Sequence, residues 1–141
     1  MTDGDPYDLQ RFVTAQESVM DTVRAELRAC RKASHWMWFV FPQVAGLGSS
    51  PVARHYAISG LDEARAYLAH PVLGPRLHEC ARLAAAVEQG TAQEVFGYPD
   101  DLKLRSSMTL FARAAPDSPV FGAVLDRFFD GAPDPRTLEL L

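Results

Sequence analysis

Pro71-Val72-Leu73-Gly74-Pro75-Arg76-Leu77-His78-Glu79-Cys80-Ala81-Arg82-Leu83-Ala84-Ala85-Ala86-Val87-Glu88-Gln89-Gly90 is the stretch on which the fold turns. Val72, Leu73, Leu77, Cys80, Leu83, Ala84 and Val87 lie along one side of a helix. Pro71 suits a first helical turn, where a missing N–H costs nothing, and Gly90 stands where a C-terminal cap belongs. Gly74 and Pro75 are poor helix formers and delay the regular start.

The same punctuation runs in both directions. Asp5-Pro6, Ser50-Pro51, His70-Pro71, Ser118-Pro119 and Asp134-Pro135 each read as a helix start. Upstream, Leu61, Ala64, Tyr67 and Leu68 form a short amphipathic helix behind a capping arrangement of Ser59 with Asp62 and Glu63. Further back, Leu9, Phe12, Val13, Val19, Met20, Val23 and Leu27 predict helix over 7–30, as one element or as two broken near Gln16 to Ser18. Downstream, Thr91-Ala92-Gln93-Glu94 is a capping box, Gly97 closes its helix, and Asp100 with Asp101 place negative charge at the start of the next. Pro119 to Phe129 gives another helix stopped by Gly131, and Pro135 to Leu141 a last turn or two. No run alternates at period two, so the expectation is an all-α, single compact domain over 1–141, with about seven or eight short helices.

Composition limits the function. A chain of 141 residues with 48% hydrophobic and 23% charged residues has the makings of one core, not of a disordered segment. A net charge of −4 lacks the clustered basic excess of sequence-independent nucleic-acid binding and argues against it. The longest apolar run, Trp36 to Pro42, is far below the roughly 20 residues of a membrane span. The N-terminus shows neither the positive nor the apolar region of a secretory signal, so the expected location is the cytoplasm. Cys30 and Cys80 read as free thiols. His35, His55, His70 and His78 include no i,i+4 pair, so neither metal nor cofactor is expected.

Lys32-Ala33-Ser34-His35-Trp36-Met37-Trp38-Phe39-Val40-Phe41-Pro42-Gln43 concentrates both tryptophans beside a lysine, a histidine and a glutamine. As core, it is a short aromatic helix capped by Ser34 and stopped by Pro42. As a site, Trp36 or Trp38 walls a pocket into which Lys32, His35 and Gln43 present polar groups, with His35 the candidate for proton transfer. The adjoining Gly46-Leu47-Gly48-Ser49-Ser50-Pro51 is a loop feeding a helix N-terminus, which favours an anion and makes Gly46, Gly48 and Ser49 candidate contacts. It lacks the spacing and lysine of a Walker loop. On a later helix Lys103, Ser106 and Ser107 share one face. The serines either bond back to the preceding turn or face a ligand, while Lys103 serves an anion or pairs with Asp100 or Asp101.

Four stretches carry a resemblance: Asp8-Leu9-Gln10-Arg11-Phe12-Val13, Ser34 to Gln43 with Gly46-Leu47-Gly48-Ser49, Ala66-Tyr67-Leu68-Ala69-His70-Pro71-Val72-Leu73-Gly74, and Asp101-Leu102-Lys103-Leu104-Arg105-Ser106-Ser107-Met108-Thr109-Leu110-Phe111. Through them nearly the whole chain resembles the bacterial family called domain of unknown function 1810. That resemblance implies a mainly helical fold and no assigned reaction. The calpastatin label sometimes attached to the family does not suit a chain with a core, because inhibitory calpastatin segments are disordered. Leu73-Gly74-Pro75-Arg76 and the Lys103 segment also resemble, faintly, proteins of ADP-ribose and nucleotide metabolism.

Together these readings lead to an expected small-molecule site, for a nucleotide-like or otherwise anionic ligand, where the His35–Ser50 segment meets the Lys103–Thr109 helix. Catalysis there requires His35 beside Gln43, Ser106 or Ser107 around one cavity. The alternative is a non-enzymatic module that offers an apolar patch to a protein partner.

Overall fold

The structure, a computed structural model, describes residues 4–141. In chain order the described residues form α1 (Gln10–Gln16), α2 (Met20–Arg28), α3 (Met37–Val40), α4 (Pro51–His55), α5 (Leu61–Ala69), α6 (Leu73–Ala85), α7 (Ala92–Phe96), α8 (Asp100–Ala114), α9 (Pro119–Phe129) and α10 (Pro135–Leu140). All named elements are helical, as the apolar spacing requires. The count among the described residues is ten against the expected seven or eight, and four of the ten, α3, α4, α7 and α10, are only four to six residues long.

Every one of the five Xaa-Pro pairs precedes a helix, by two routes. Ser50 accepts from Ala53 N–H and Asp134 from Thr137 N–H, so they cap α4 and α10 directly, and Ser118 is the N-cap residue of α9 without a side-chain bond. Asp5 and His70 act from further upstream. The Asp5 carboxylate accepts from Leu9 N–H at 2.7 Å and Gln10 N–H at 3.0 Å, which launches α1. His70 Nδ1 accepts from Val72 N–H at 3.1 Å and Leu73 N–H at 3.2 Å, so α6 begins two residues after Pro71. The Thr91–Glu94 capping box forms in full. The N-terminal pattern resolves into two helices, α1 and α2, with the break at residues 17–19.

α8 is the centre of the domain and packs against α3, α5, α7, α9 and α10. Around it the largest sealed side chains are Trp36, Tyr67, Phe12, Phe41, Phe111 and Phe121. Two polar groups buried among them pair with each other: Gln16 donates to the Tyr67 hydroxyl at 3.1 Å and also to the carbonyl of Phe39. α6 meets α5 at Gly74, where a Cβ would lie 2.1 Å from the Leu68 carbonyl oxygen. The glycine that looks like a helix defect in the sequence is what lets these helices touch.

Candidate functional site

The segment from Lys32 to Phe41 is organised from outside itself, by Glu26 on α2. Its carboxylate accepts from Ala33 N–H (2.8 Å), Ser34 N–H (3.0 Å), Ser34 Oγ–H (2.6 Å) and Trp36 Nε1–H (2.9 Å). Burial works against ionisation of this group, but the hydrogen bonds outweigh it and bring the pKa down to about 2. Ser34 therefore does not cap a helix. α3 starts only after Trp36, and Trp36 is 1% exposed, a core residue and not a pocket wall. Lys32 is drawn in as well: Nζ lies 2.6 Å from Asp100 Oδ2, donates to the Ser34 carbonyl and sits 5.0 Å from the Trp36 ring centroid. Lys32 and Trp36, two of the expected ligand contacts, are thus held by structural partners.

Past α3 the chain is pinned a second time. Ala45 N–H donates to the Ile58 carbonyl and Ile58 N–H to the Gln43 carbonyl, both at 2.8 Å, in an isolated bridge. Arg11 holds the returning segment: Nε donates to the His55 carbonyl at 2.8 Å, and Nη2 reaches the Ala57 carbonyl (3.0 Å) and Glu63 Oε2 (2.9 Å). Tyr56 is thereby fixed with its ring 5.4 Å from that of Phe39 and 5.7 Å from that of Phe12.

Between this pinned segment and α8 lies a cleft of about 170 Å³. Its polar lining is Gln43, Lys103 and Ser106, with the edge of Gly48. Its apolar lining is Trp38, Val44, Leu47, Ala53, Tyr56, Ala57, Pro99 and Leu102. Lys103 Nζ stands 4.9 Å from the Trp38 ring centroid and 3.8 Å from Asp100 Oδ1. Ser106 Oγ lies 3.1 Å from the Leu102 carbonyl and 2.9 Å from Asp134 Oδ2, so its one proton is committed and any further bond it makes is as an acceptor. Burial raises the Asp134 pKa, yet bonds from Thr137 and Ser106 hold it below the ordinary carboxylate range.

The structure thus brings together Trp38, Gln43, Gly48, Lys103 and Ser106 and sets the other sequence-derived candidates apart. His35 is exposed and absent from the lining, so the expected cavity joining it to Gln43 or the serines does not form. The reason is Glu26, which turns the chain at residues 33–34 and leaves the His35 side chain on the outer surface. Gly46, at φ +105°, serves a turn against Leu140, and Ser49 is exposed outside the cleft. Ser107 is wholly buried, with no hydrogen-bond partner for Oγ among the described residues. Pro99 and Leu102 were readable from Lys103 and Ser106, because 99, 102, 103 and 106 form one helical stripe. Tyr56 and Ala57 had no local signal; the bridge and Arg11 bring them in.

Among the described residues no group of three or more His, Cys, Asp or Glu side chains gathers as a metal site would. No helix of the described residues is long and apolar enough to cross a membrane. The chain belongs to the family described as "Protein of unknown function (DUF1810)", which it matches over residues 6–141. It is similar to the crystal structure of the conserved hypothetical protein Rv1873 from Mycobacterium tuberculosis, with 58% identity and a TM-score of 0.95, over 97% of this chain and 98% of that one. No curated protein matches it.

Proposed function

We propose that this protein binds a small anionic ligand, of the nucleotide-like kind or simpler, in the cleft between the Gln43–Ala57 segment and α8. One observation carries the reading: Lys103 reaches the cleft beside an aromatic wall while its carboxylate neighbour is already taken. Asp100 stands 2.6 Å from Lys32 but 3.8 Å from Lys103, so two cations share one carboxylate and Lys103 is the less closely paired of the two. A half-buried cation with an apolar surround and an amide nearby is how small-ligand sites fix an anion. Lys103 and Tyr56 are the ionisable side chains in the lining, so the reading is of binding, with no residue assigned to catalysis.

A thermal-shift panel of inorganic phosphate, simple carboxylates, AMP, ADP-ribose and dinucleotides tests it. Saturable stabilisation by an anion, lost in Lys103→Ala and kept in His35→Ala, is the expected result. Equal stabilisation of the wild type and Lys103→Ala contradicts it.

A second reading has its own support. Of the exposed large apolar side chains, Leu102 lines the cleft, and Val52 and Tyr98 are the chain neighbours of its lining residues Ala53 and Pro99. An apolar rim of this kind suits a protein partner. Self-association that Leu102→Glu abolishes favours this reading over the first.

A further inference from the structure

The cleft is too small for most of the ligands that its charge would admit. Sites that enclose drug-sized molecules run from about 300 Å³ upward, whereas a cavity of about 150 Å³ is filled by a single benzene ring. At about 170 Å³ this one takes one six-membered ring with a small substituent. Two aromatic side chains, Trp38 and Tyr56, stand in its lining, and the second is braced by Phe12 and Phe39, which favours a flat guest.

The charge balance narrows the substituent. Lys32 and Lys103 share Asp100, which stays within 3.8 Å of Lys103, and the Asp134 carboxylate lies 2.9 Å from Ser106 Oγ, so a dianionic phosphate would meet one loosely paired cation and two nearby carboxylates. A carboxylate carries one charge and matches. Gln43 adds an amide that can donate to its second oxygen, and Ser106 offers an acceptor to a ring N–H or hydroxyl.

Resting on the small-anion reading above, we infer that the ligand is a monocyclic aromatic monocarboxylate, or the carboxyl-bearing ring of a larger molecule whose remainder lies outside the cleft over Leu102. Whole nucleotides are not enclosed. The ring fills the space between Trp38 and Tyr56, and its carboxylate meets Lys103.

Ligand-observed NMR titration with benzoate, benzamide, 2-naphthoate, AMP and inorganic phosphate separates the possibilities. Benzoate is expected to bind saturably, at least about tenfold tighter than its uncharged isostere benzamide and at least about tenfold tighter than the two-ring 2-naphthoate. Lys103→Gln removes the preference for benzoate over benzamide, and Lys103→Arg, which keeps the charge, retains it. Equal affinity for benzoate and 2-naphthoate overturns the one-ring inference. Lys103-dependent binding of AMP or phosphate without benzoate binding also overturns it, while leaving the small-anion reading in place. Binding by none of the five removes both.

Discussion

Lys32 Nζ lies 2.6 Å from Asp100 Oδ2, and the lysine side chain is only 6% exposed. This contact ties the loop after α2 to the first turn of α8, and it decides how much charge Lys103 has to spare. Without Lys32, Asp100 would turn its whole carboxylate to Lys103, three residues along the same helix.

Lys32→Met therefore has two effects. It costs about 2–3 kcal/mol of stability, somewhat below the range for a fully buried pair because Asp100 remains partly open to water. It also weakens benzoate binding, although Lys32 does not line the cleft. Urea unfolding and an NMR titration of the same variant measure both. Normal affinity in a destabilised variant would show that Lys103 does not depend on this pairing.

Arg11→Met tests the clamp behind Tyr56. The substitution leaves Glu63, 3% exposed, without its ionic partner and frees the carbonyls of His55 and Ala57. The expected loss is about 3–4 kcal/mol in urea unfolding. The folded fraction should also show faster amide exchange at residues 55–58.

Glu26 sets an acid limit on the fold. Its carboxyl ionises at about 2 in the folded protein against an ordinary 4.5, so its contribution is complete above pH 4.5 and is lost as pH falls toward 2. Urea midpoints across that window should drop in the wild type and drop less in Glu26→Gln. The variant should be the weaker of the two at neutral pH, where Trp36 Nε1–H and Ser34 lose a charged acceptor.

Ser106 and Ser107 are neighbours with opposite expectations. Ser106→Ala breaks the link to Asp134 that joins α8 to α10 and costs about 1–2 kcal/mol. Ser107→Ala removes a buried hydroxyl that has no partner among the described residues, so it should be neutral or stabilising by up to about 1 kcal/mol. Thermal midpoints that fall equally in both would refute this assignment.

Local chemistry made most of the fold legible. Ser50, Thr91 and Asp134 each cap the helix that starts at the very next residue, and α6 shows its apolar side over three turns. Lys103 and Ser106 could be picked out for the same reason, since helical spacing alone puts them on one face. The features that could not be read depend on partners distant in sequence. Trp36 became core, and His35 surface, because Glu26 claims the loop before them. Tyr56 became a cleft wall because Arg11, 45 positions earlier, holds its neighbours.

The most direct test of an anion site at Lys103 is a 1H–15N correlation spectrum of the protein titrated with benzoate. The account predicts saturable shifts confined to the Trp38 indole N–H, the Gln43 side-chain amide and the backbone amides of Gly48, Ala57, Lys103 and Ser106, abolished in Lys103→Gln. Saturable shifts elsewhere, centred for instance on exposed His35, with these six signals unmoved, would contradict it.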